Sequence, residues 1–312
     1  MPAPARSRQS FRHEAFLWRD AAEFVDALVP FIEDGLAAGE PVLAALLPDH
    51  ARWLRDRLAN KATQVQFLDM AKLGRNPAMI IPAWHEFLDC HAGYGRPARG
   101  IGESLWVGRR AEEVLECQLH EALLNVAVDP GIPFWLLCPY DVARLGASVV
   151  AEAYRSHPAI VGNDFHSGSP TYGGRAHAHS MFHHALPPMP GSPTEMVFTM
   201  EHLGDVFAFV AVEAAAAGLW SDTVVNLATA LRRLAADALT RGGGVGTVRV
   251  WDDARASTFE ILTPAPTDDL LAGRHPPRRD RDDPLSWANH MCDLVQLRSD
   301  PAGTTVRLST WK

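Results

Sequence analysis

Apolar positions in the first half of this chain alternate between two rhythms. Phe24, Leu28, Phe31, Ile32 and Leu36 have the spacing of one helical face, which Asp20 caps, Pro30 is expected to kink and Gly39 stops. The continuous run 42–47 reads as a strand buried on both faces. Trp53, Leu54 and Leu58 return as helix, and 65–70 is the next strand. The alternation continues with helix 78–91, strand 99–106, helix 111–126, strand 134–138 and helix 142–154. Residues 11–18 are aromatic but poor in β-branched side chains, which leaves strand or helix open there. Such alternation predicts a mostly parallel sheet with helices on both faces.

The texture changes over 157–193, where Gly, Pro, Ser and His dominate as in an exposed linker. Leu203, Val206, Phe207, Val210, Ala214 and Ala217 then form a helical stripe that Gly218 ends. A second helix is expected to start at a capping Ser221-Asp222 and carries Val224, Leu227, Ala228, Leu231, Leu234, Ala235 and Ala238, before Gly242 to Gly244 stop it. Short β-rich runs at 247–251 and 258–262 follow, so this half reads as helices laid on an antiparallel sheet. The expected organisation is a domain over 1–157, a linker over 158–198 and a second domain over 199–312.

At 312 residues and 47% hydrophobic content, each domain can have its own core. The net charge of −8 argues against sequence-independent nucleic-acid binding, which requires a basic face. Cys90, Cys117, Cys138 and Cys292 show no CxxC pairing and sit in or beside apolar runs, as buried reduced thiols do. No apolar stretch opens the chain, and the most apolar run, 206–220, is interrupted by Glu213 and falls short of the roughly 20 residues of a membrane span. A cytoplasmic protein is expected. His157, His166, His177, His179, His183 and His184 crowd this stretch without a Cys partner or HExxH spacing, so no metal site is expected, and His183 and His184 are expected to be solvated or packed where the linker crosses a domain.

In a parallel sheet, ligands collect at the carboxyl ends of the strands. Asp69, Arg75, Asn76, Glu103, Tyr140 and Asp141 fall at those ends, and His120 and Glu121, with Glu116, lie on a helix that could face the same crevice. The competing reading is local: Asn76 before Pro77, and Asp141, would simply cap helices. Four segments here, Phe67-Leu-Asp-Met-Ala-Lys-Leu-Gly-Arg-Asn-Pro77, Arg99-Gly-Ile-Gly-Glu103, Glu116-Cys-Gln-Leu-His-Glu-Ala-Leu-Leu-Asn125 and Leu136-Leu-Cys-Pro-Tyr-Asp141, resemble the MEDS sensory domain. The resemblance spans about 11–157 and implies a RecA-like α/β fold used to sense small molecules or partners, without implying catalysis. No GxxxxGK[ST] phosphate loop accompanies it.

Leu231-Arg-Arg-Leu-Ala-Ala-Asp-Ala-Leu-Thr-Arg-Gly-Gly-Gly244 resembles the nucleotide-binding helix of GHKL ATPases, in particular the anti-sigma-factor serine kinases. That family's Glu-Leu-x-Thr-Asn-x-x-x-His-Gly motif places its general base on Arg233, its Mg²⁺-holding Asn on Asp237 and its His on Arg241. An arginine cannot accept a proton near neutral pH. The family's adenine-reading Asp-x-Gly box falls on Thr263-Pro-Ala-Pro266, and its Gly-rich lid on Asp282-Asp-Pro284, whose carboxylates and proline do not cradle phosphates. The resemblance implies a two-layer α/β sandwich of the Bergerat type that has lost its chemistry: a pseudokinase that binds a sigma factor or a STAS-type antagonist, with homodimerisation common in the group. Neither ATP with Mg²⁺ nor any other cofactor is expected. Two alternatives stand beside this reading. One is an active ATP-dependent serine kinase; the other is a MEDS sensor holding haem or another small ligand, with Cys117, His120 and Cys138 as candidate contacts and a purely structural C-terminal domain.

Overall fold

The computed structural model describes residues 10–91, 95–162, 164–275 and 283–312. The chain divides into two compact units, Met1–Ala178 and His179–Lys312. No helix among the described residues is long and apolar enough to cross a membrane.

The first unit is built on a seven-stranded sheet whose strands are β1 (Arg12–Trp18), β2 (Val42–Leu46), β3 (Val65–Asp69), β4 (Ala98–Gly102), β5 (Phe134–Asp141), β6 (Ala159–Val161) and β7 (His166–Gly168). Their order is β3-β2-β4-β5-β1-β6-β7, with every neighbouring pair parallel except β6 and β7. The helices are α1 (Ala21–Ala37), α2 (Pro48–Leu58), α3 (Met70–Leu73), α4 (Ile80–His91), α5 (Ala111–Ala127), α6 (Ala147–Ser156) and α7 (Gly174–Phe182), the last of which continues past Ala178. From β1 to β3 the chain steps one way across the sheet, and from β3 to β6 it steps back. Right-handed crossovers therefore place α1 and α2 on one face and α4, α5 and α6 on the other. Phe16 and Trp18 of β1 pack with Phe24, Leu28 and Leu54 in the core of the first face.

The segment 11–18, open between strand and helix in the sequence, is a strand near the middle of the sheet. Burial on both faces is what its composition serves: His13 and Ala15 point one way, Phe16 and Trp18 the other, and all four are buried. Two expected elements are shorter than their apolar runs. The strand expected over 99–106 leaves the sheet after Gly102, and the helix expected over 142–154 begins only at Ala147. The Asp141 side chain accepts from the backbone N–H groups of Ala143 and Arg144, both at 3.2 Å, and so holds a turn ahead of that helix. The stretch 158–198 carries β6, β7, α7 and a further strand, so ordered elements fill what composition marks as linker. Short strands that add to an existing sheet edge need little apolar content of their own.

The second unit contains β8 (Thr194–Phe198), α8 (Leu203–Ala216), α9 (Ser221–Ala238), β9 (Gly246–Asp252), β10 (Ala256–Thr263), α10 (Pro284–Met291), β11 (Leu294–Asp300) and β12 (Gly303–Trp311). These strands form an antiparallel sheet in the order β11-β12-β10-β9-β8. Val248, Phe259, Ile261, Val306 and Leu308 share one face and are buried, with α8 and α9 packed on the sheet. Ser221 is the first helical residue of α9 rather than its cap; Trp220 stands at the cap without a side-chain hydrogen bond. At the other end Gly242 (φ 105°) and Gly244 (φ 62°) adopt left-handed backbone, as their position past a helix end requires.

Candidate functional site

The expected crevice residues divide into two groups in space. Asp69 caps α3 by accepting from the Ala71 N–H at 3.0 Å, and Asn76 does the same for Ala78 at 3.2 Å. Arg75 is exposed. Asp141 caps its turn and pairs with Arg144 at 2.7 Å. For Asp69, Asn76 and Asp141 the local reading holds. Glu103 is different: buried just beyond β4, it accepts from the Leu47 N–H at 3.0 Å and faces His50 Nδ1 at 2.7 Å. Trp18, Phe24 and Trp53 surround that imidazole with ring centroids 4.6–5.3 Å away. This pair ties the carboxyl ends of β2 and β4 to α2.

His120, Glu121 and Tyr140 belong to the second group, beneath the sheet on the side of α5 and α6. Burying Glu121 on the sheet-facing side of a helix is costly unless the carboxylate is paired, and four side chains meet it. His13 Nε2, from β1, lies 3.1 Å from Glu121 Oε2. His157 Nε2, at the C-cap of α6, lies 3.3 Å from the same oxygen. Ser104 Oγ donates to Glu121 Oε1. Cys138 Sγ, from β5, completes the group 3.3 Å from His13 Nε2. The register explains the meeting: Ala15 is opposite Cys138 and His13 opposite Leu136, so His13, Cys138 and Tyr140 protrude from the same face.

An outer layer fixes the orientation of both imidazoles. The Asn125 amide donates to Ser156 O at 2.8 Å, which turns its Oδ1 toward His13 Nδ1 at 3.2 Å. His157 Nδ1 lies 2.8 Å from Ala153 O, which can only accept. Both rings are therefore oriented with Nδ1 outward and Nε2 directed inward. Tyr140 meets His157 edge-on at 5.6 Å between centroids.

Burial would raise the Glu121 carboxyl, but hydrogen bonding to His13 and His157 outweighs it and holds the group well below its ordinary range. His13 is lowered by burial and by His157, whose ring centroid is 4.1 Å away. Burial, with the Glu121 charge nearby, pushes the Tyr140 hydroxyl and the Cys138 thiol well upward. The centre is thus a buried carboxylate held by two imidazoles. Cys117 lies beside it with its thiol donating to Ser104 O at 3.2 Å.

In the second unit Arg233, Asp237 and Arg241 all lie on α9 or its C-terminal turn. Asp237 and Arg241 pair with each other at 2.8 Å, and the Arg233 guanidinium stands 5.5 Å from the Trp287 ring of α10. Thr263 ends β10, buried beside the tight turn at Gly303. Asp283 caps α10 by accepting from the Leu285 N–H at 3.0 Å, with Pro284 at its first turn; Asp282 and most of the expected lid lie outside the described residues. A cavity of about 660 Å³ opens on the opposite, polar face of this sheet. Arg249, Glu260, Arg298 and Arg307 line it, with Leu186 and Pro188 from the preceding segment, whereas Arg233, Asp237, Arg241 and Pro284 do not. Glu260 is shared there between Arg307 at 2.7 Å and Arg249 at 3.9 Å.

A mixed α/β unit with a mostly parallel sheet and a buried polar centre is the class the coordinates define. Comparison with known families narrows it: residues 12–158 match the model of MEDS, the MEthanogen/methylotroph, DcmR Sensory domain. That stretch carries a MEDS domain, and it contains every member of the His13, Glu121, Cys138 and His157 cluster. No curated protein matches the chain.

Sequence reasoning missed His13 because the rhythm of 11–18 was ambiguous, and it assigned His157 to an exposed linker although that side chain is fully buried. His177 is buried as well and pairs with Glu152. The one usable signal was Glu121, a carboxylate among the apolar positions of a helix, whose burial requires partners.

Proposed function

We propose that this protein is a signal-transduction regulator. Its MEDS domain senses through the buried centre around Glu121, and its C-terminal unit acts by binding a protein rather than by turning over ATP. The observation carrying the sensory half is the convergence of His13, Cys138, His157 and Glu121 inside a domain of sensory type. The strand order and lone antiparallel β7 are consistent with a RecA-like arrangement. Its usual phosphate position after β1 is reduced to Arg19-Asp20, and the start of α1 is occupied by the chain's own carboxylates. Asp20 accepts from the Glu23 N–H at 2.9 Å, and Glu23 accepts from the Arg19 N–H at 2.8 Å. An anion is thus already bound where a nucleotide phosphate would sit.

For the C-terminal unit, the element order around α9 supports a degenerate GHKL domain, and side-chain chemistry supports loss of nucleotide use. Arg233 replaces the base and packs toward Trp287, Asp237 is engaged by Arg241, and Thr263 stands where adenine would need a carboxylate. The corresponding partners are a sigma factor or a STAS-type antagonist, and the action is sequestration. Calorimetric titration of the intact protein with Mg²⁺ and ATP, beside an active anti-sigma kinase, tests this. The expected result is no binding tighter than millimolar; micromolar affinity would overturn the pseudokinase assignment and return an active kinase to consideration.

A further inference from the structure

We infer that the buried cluster is a binding site for a divalent transition ion of the zinc class, held by His13 Nε2, Glu121 Oε2, Cys138 Sγ and His157 Nε2. The inference rests on the reading of this cluster as the sensory centre and names what occupies it. All four donor atoms lie within 4.8 Å of one another and belong to fully buried residues.

Two geometric facts and one of charge point to an ion. A tetrahedral Zn²⁺ with bonds of about 2.0–2.3 Å sets its ligand atoms roughly 3.3–3.7 Å apart. The neighbouring donors here stand at 3.1 Å, 3.3 Å and 3.3 Å. The orientation of the imidazoles is the second fact. With Nδ1 of His13 against Asn125 Oδ1 and Nδ1 of His157 against Ala153 O, both Nε2 atoms are directed at the Glu121 carboxylate. Donor atoms of metal-ligand type then converge on one buried point, where a cation takes the place of the ring protons that otherwise bridge to the carboxylate. Pinning of the remote ring nitrogen by a carbonyl is also how metal-bound histidines are usually oriented, and Ser104 holds the second oxygen of Glu121 in the same way. Charge balance is the third. A divalent ion bound by one carboxylate and one thiolate leaves the buried centre neutral, with the thiol proton released to solvent on binding.

The donor set favours the zinc class over Mg²⁺ or Ca²⁺, which take oxygen ligands. Because four protein atoms close the tetrahedron, the ion joins β1, β5, α5 and the C-cap of α6 rather than activating water. Occupancy would therefore be felt at His157, from which the chain runs directly into β6 and β7.

The test uses the full-length protein. Metal content by mass spectrometry after expression with added zinc should show about one Zn²⁺ per chain. After chelation, titration with Co²⁺ alone should produce intense visible bands of tetrahedral cobalt and a thiolate-to-cobalt charge-transfer band. Cys138→Ser should remove the charge-transfer band, while Cys90→Ser should leave it intact. Asn125→Ala, which removes the acceptor behind His13 together with the amide's bond to Ser156 O, should weaken Zn²⁺ affinity by about 10- to 100-fold. Absence of both copurified zinc and a cobalt spectrum in the wild-type protein would overturn the site, as would a charge-transfer band that survives Cys138→Ser. Either failure would leave the sensor reading standing with a buried polar network as its centre. Failure of the ATP titration, by contrast, concerns only the C-terminal unit.

Discussion

At the scale of single residues, burial separates side chains that look alike in the sequence. Cys90 is exposed, whereas Cys117, Cys138 and Cys292 are buried. Burial pushes the Cys117 and Cys292 thiols up to about 12, from an ordinary value near 9.0. The thiolate is the reactive form, so at mildly alkaline pH a thiol reagent should label Cys90 quickly and the other three only after unfolding. Fast labelling of Cys292 in the native protein would contradict its packing. The same shift sets a pH dependence: a neutral thiol is favoured in the folded state, so this contribution is fully present below about pH 9 and is lost as pH rises toward 12. The histidines show the same divergence. His157 and His166 lie in one Gly- and Pro-rich segment, yet one is enclosed around Glu121 and the other half-exposed near Glu14.

Between elements, a few polar side chains do the joining. Arg99 of β4 is buried and reaches Glu40 at 2.5 Å and the Phe31 carbonyl of α1 at 2.5 Å, over the rings of Phe31 and Trp135. Gly35 makes room for it, since a Cβ there would stand 2.8 Å from Arg99 Cδ. Glu40→Ala would leave a buried guanidinium with its charge uncompensated, at a cost of about 3–5 kcal/mol in chemical denaturation. A loss below about 1 kcal/mol would mean that water reaches the site. Asn125 plays the corresponding part between α5 and α6, donating to Ser156 O while accepting from His13. Elements with strong periodicity, such as α1, α5 and β2, were legible in the sequence to within a residue or two. The start of α6 was not, because a side-chain-capped turn at Asp141 is decided by backbone geometry.

At the level of the whole molecule, two compact units divide between Ala178 and His179. The first unit closes its sheet with β6 and β7 and has its own core. Residues 1–178 expressed alone should therefore unfold cooperatively on heating and retain near-ultraviolet signals from Trp18, Trp84 and Trp135. A molten species lacking those signals would show that the division is not one of folding. A truncation at 157 should behave worse, since it removes β6 from the edge of β1 and leaves His157 at a frayed end.

Hydrophobic rhythm alone determined the class of each half, because a parallel sheet between helices and an antiparallel sheet beneath helices require different apolar spacings. That an arginine at 233 cannot accept a proton near neutral pH follows from the guanidinium itself. Tertiary structure decided where the chemistry lies. Of the residues that sequence reasoning placed in a crevice, Asp69, Asn76 and Asp141 cap their own turns. Glu121 instead meets Cys138, named in the sequence only as a candidate cofactor contact, and the unforeseen His13 and His157, across up to 144 residues of chain. Nothing local marks these four as partners. Their meeting follows from strand register and from the crossovers that bring α5 and α6 to one face of the sheet, and long-range pairing of that kind leaves no periodicity behind.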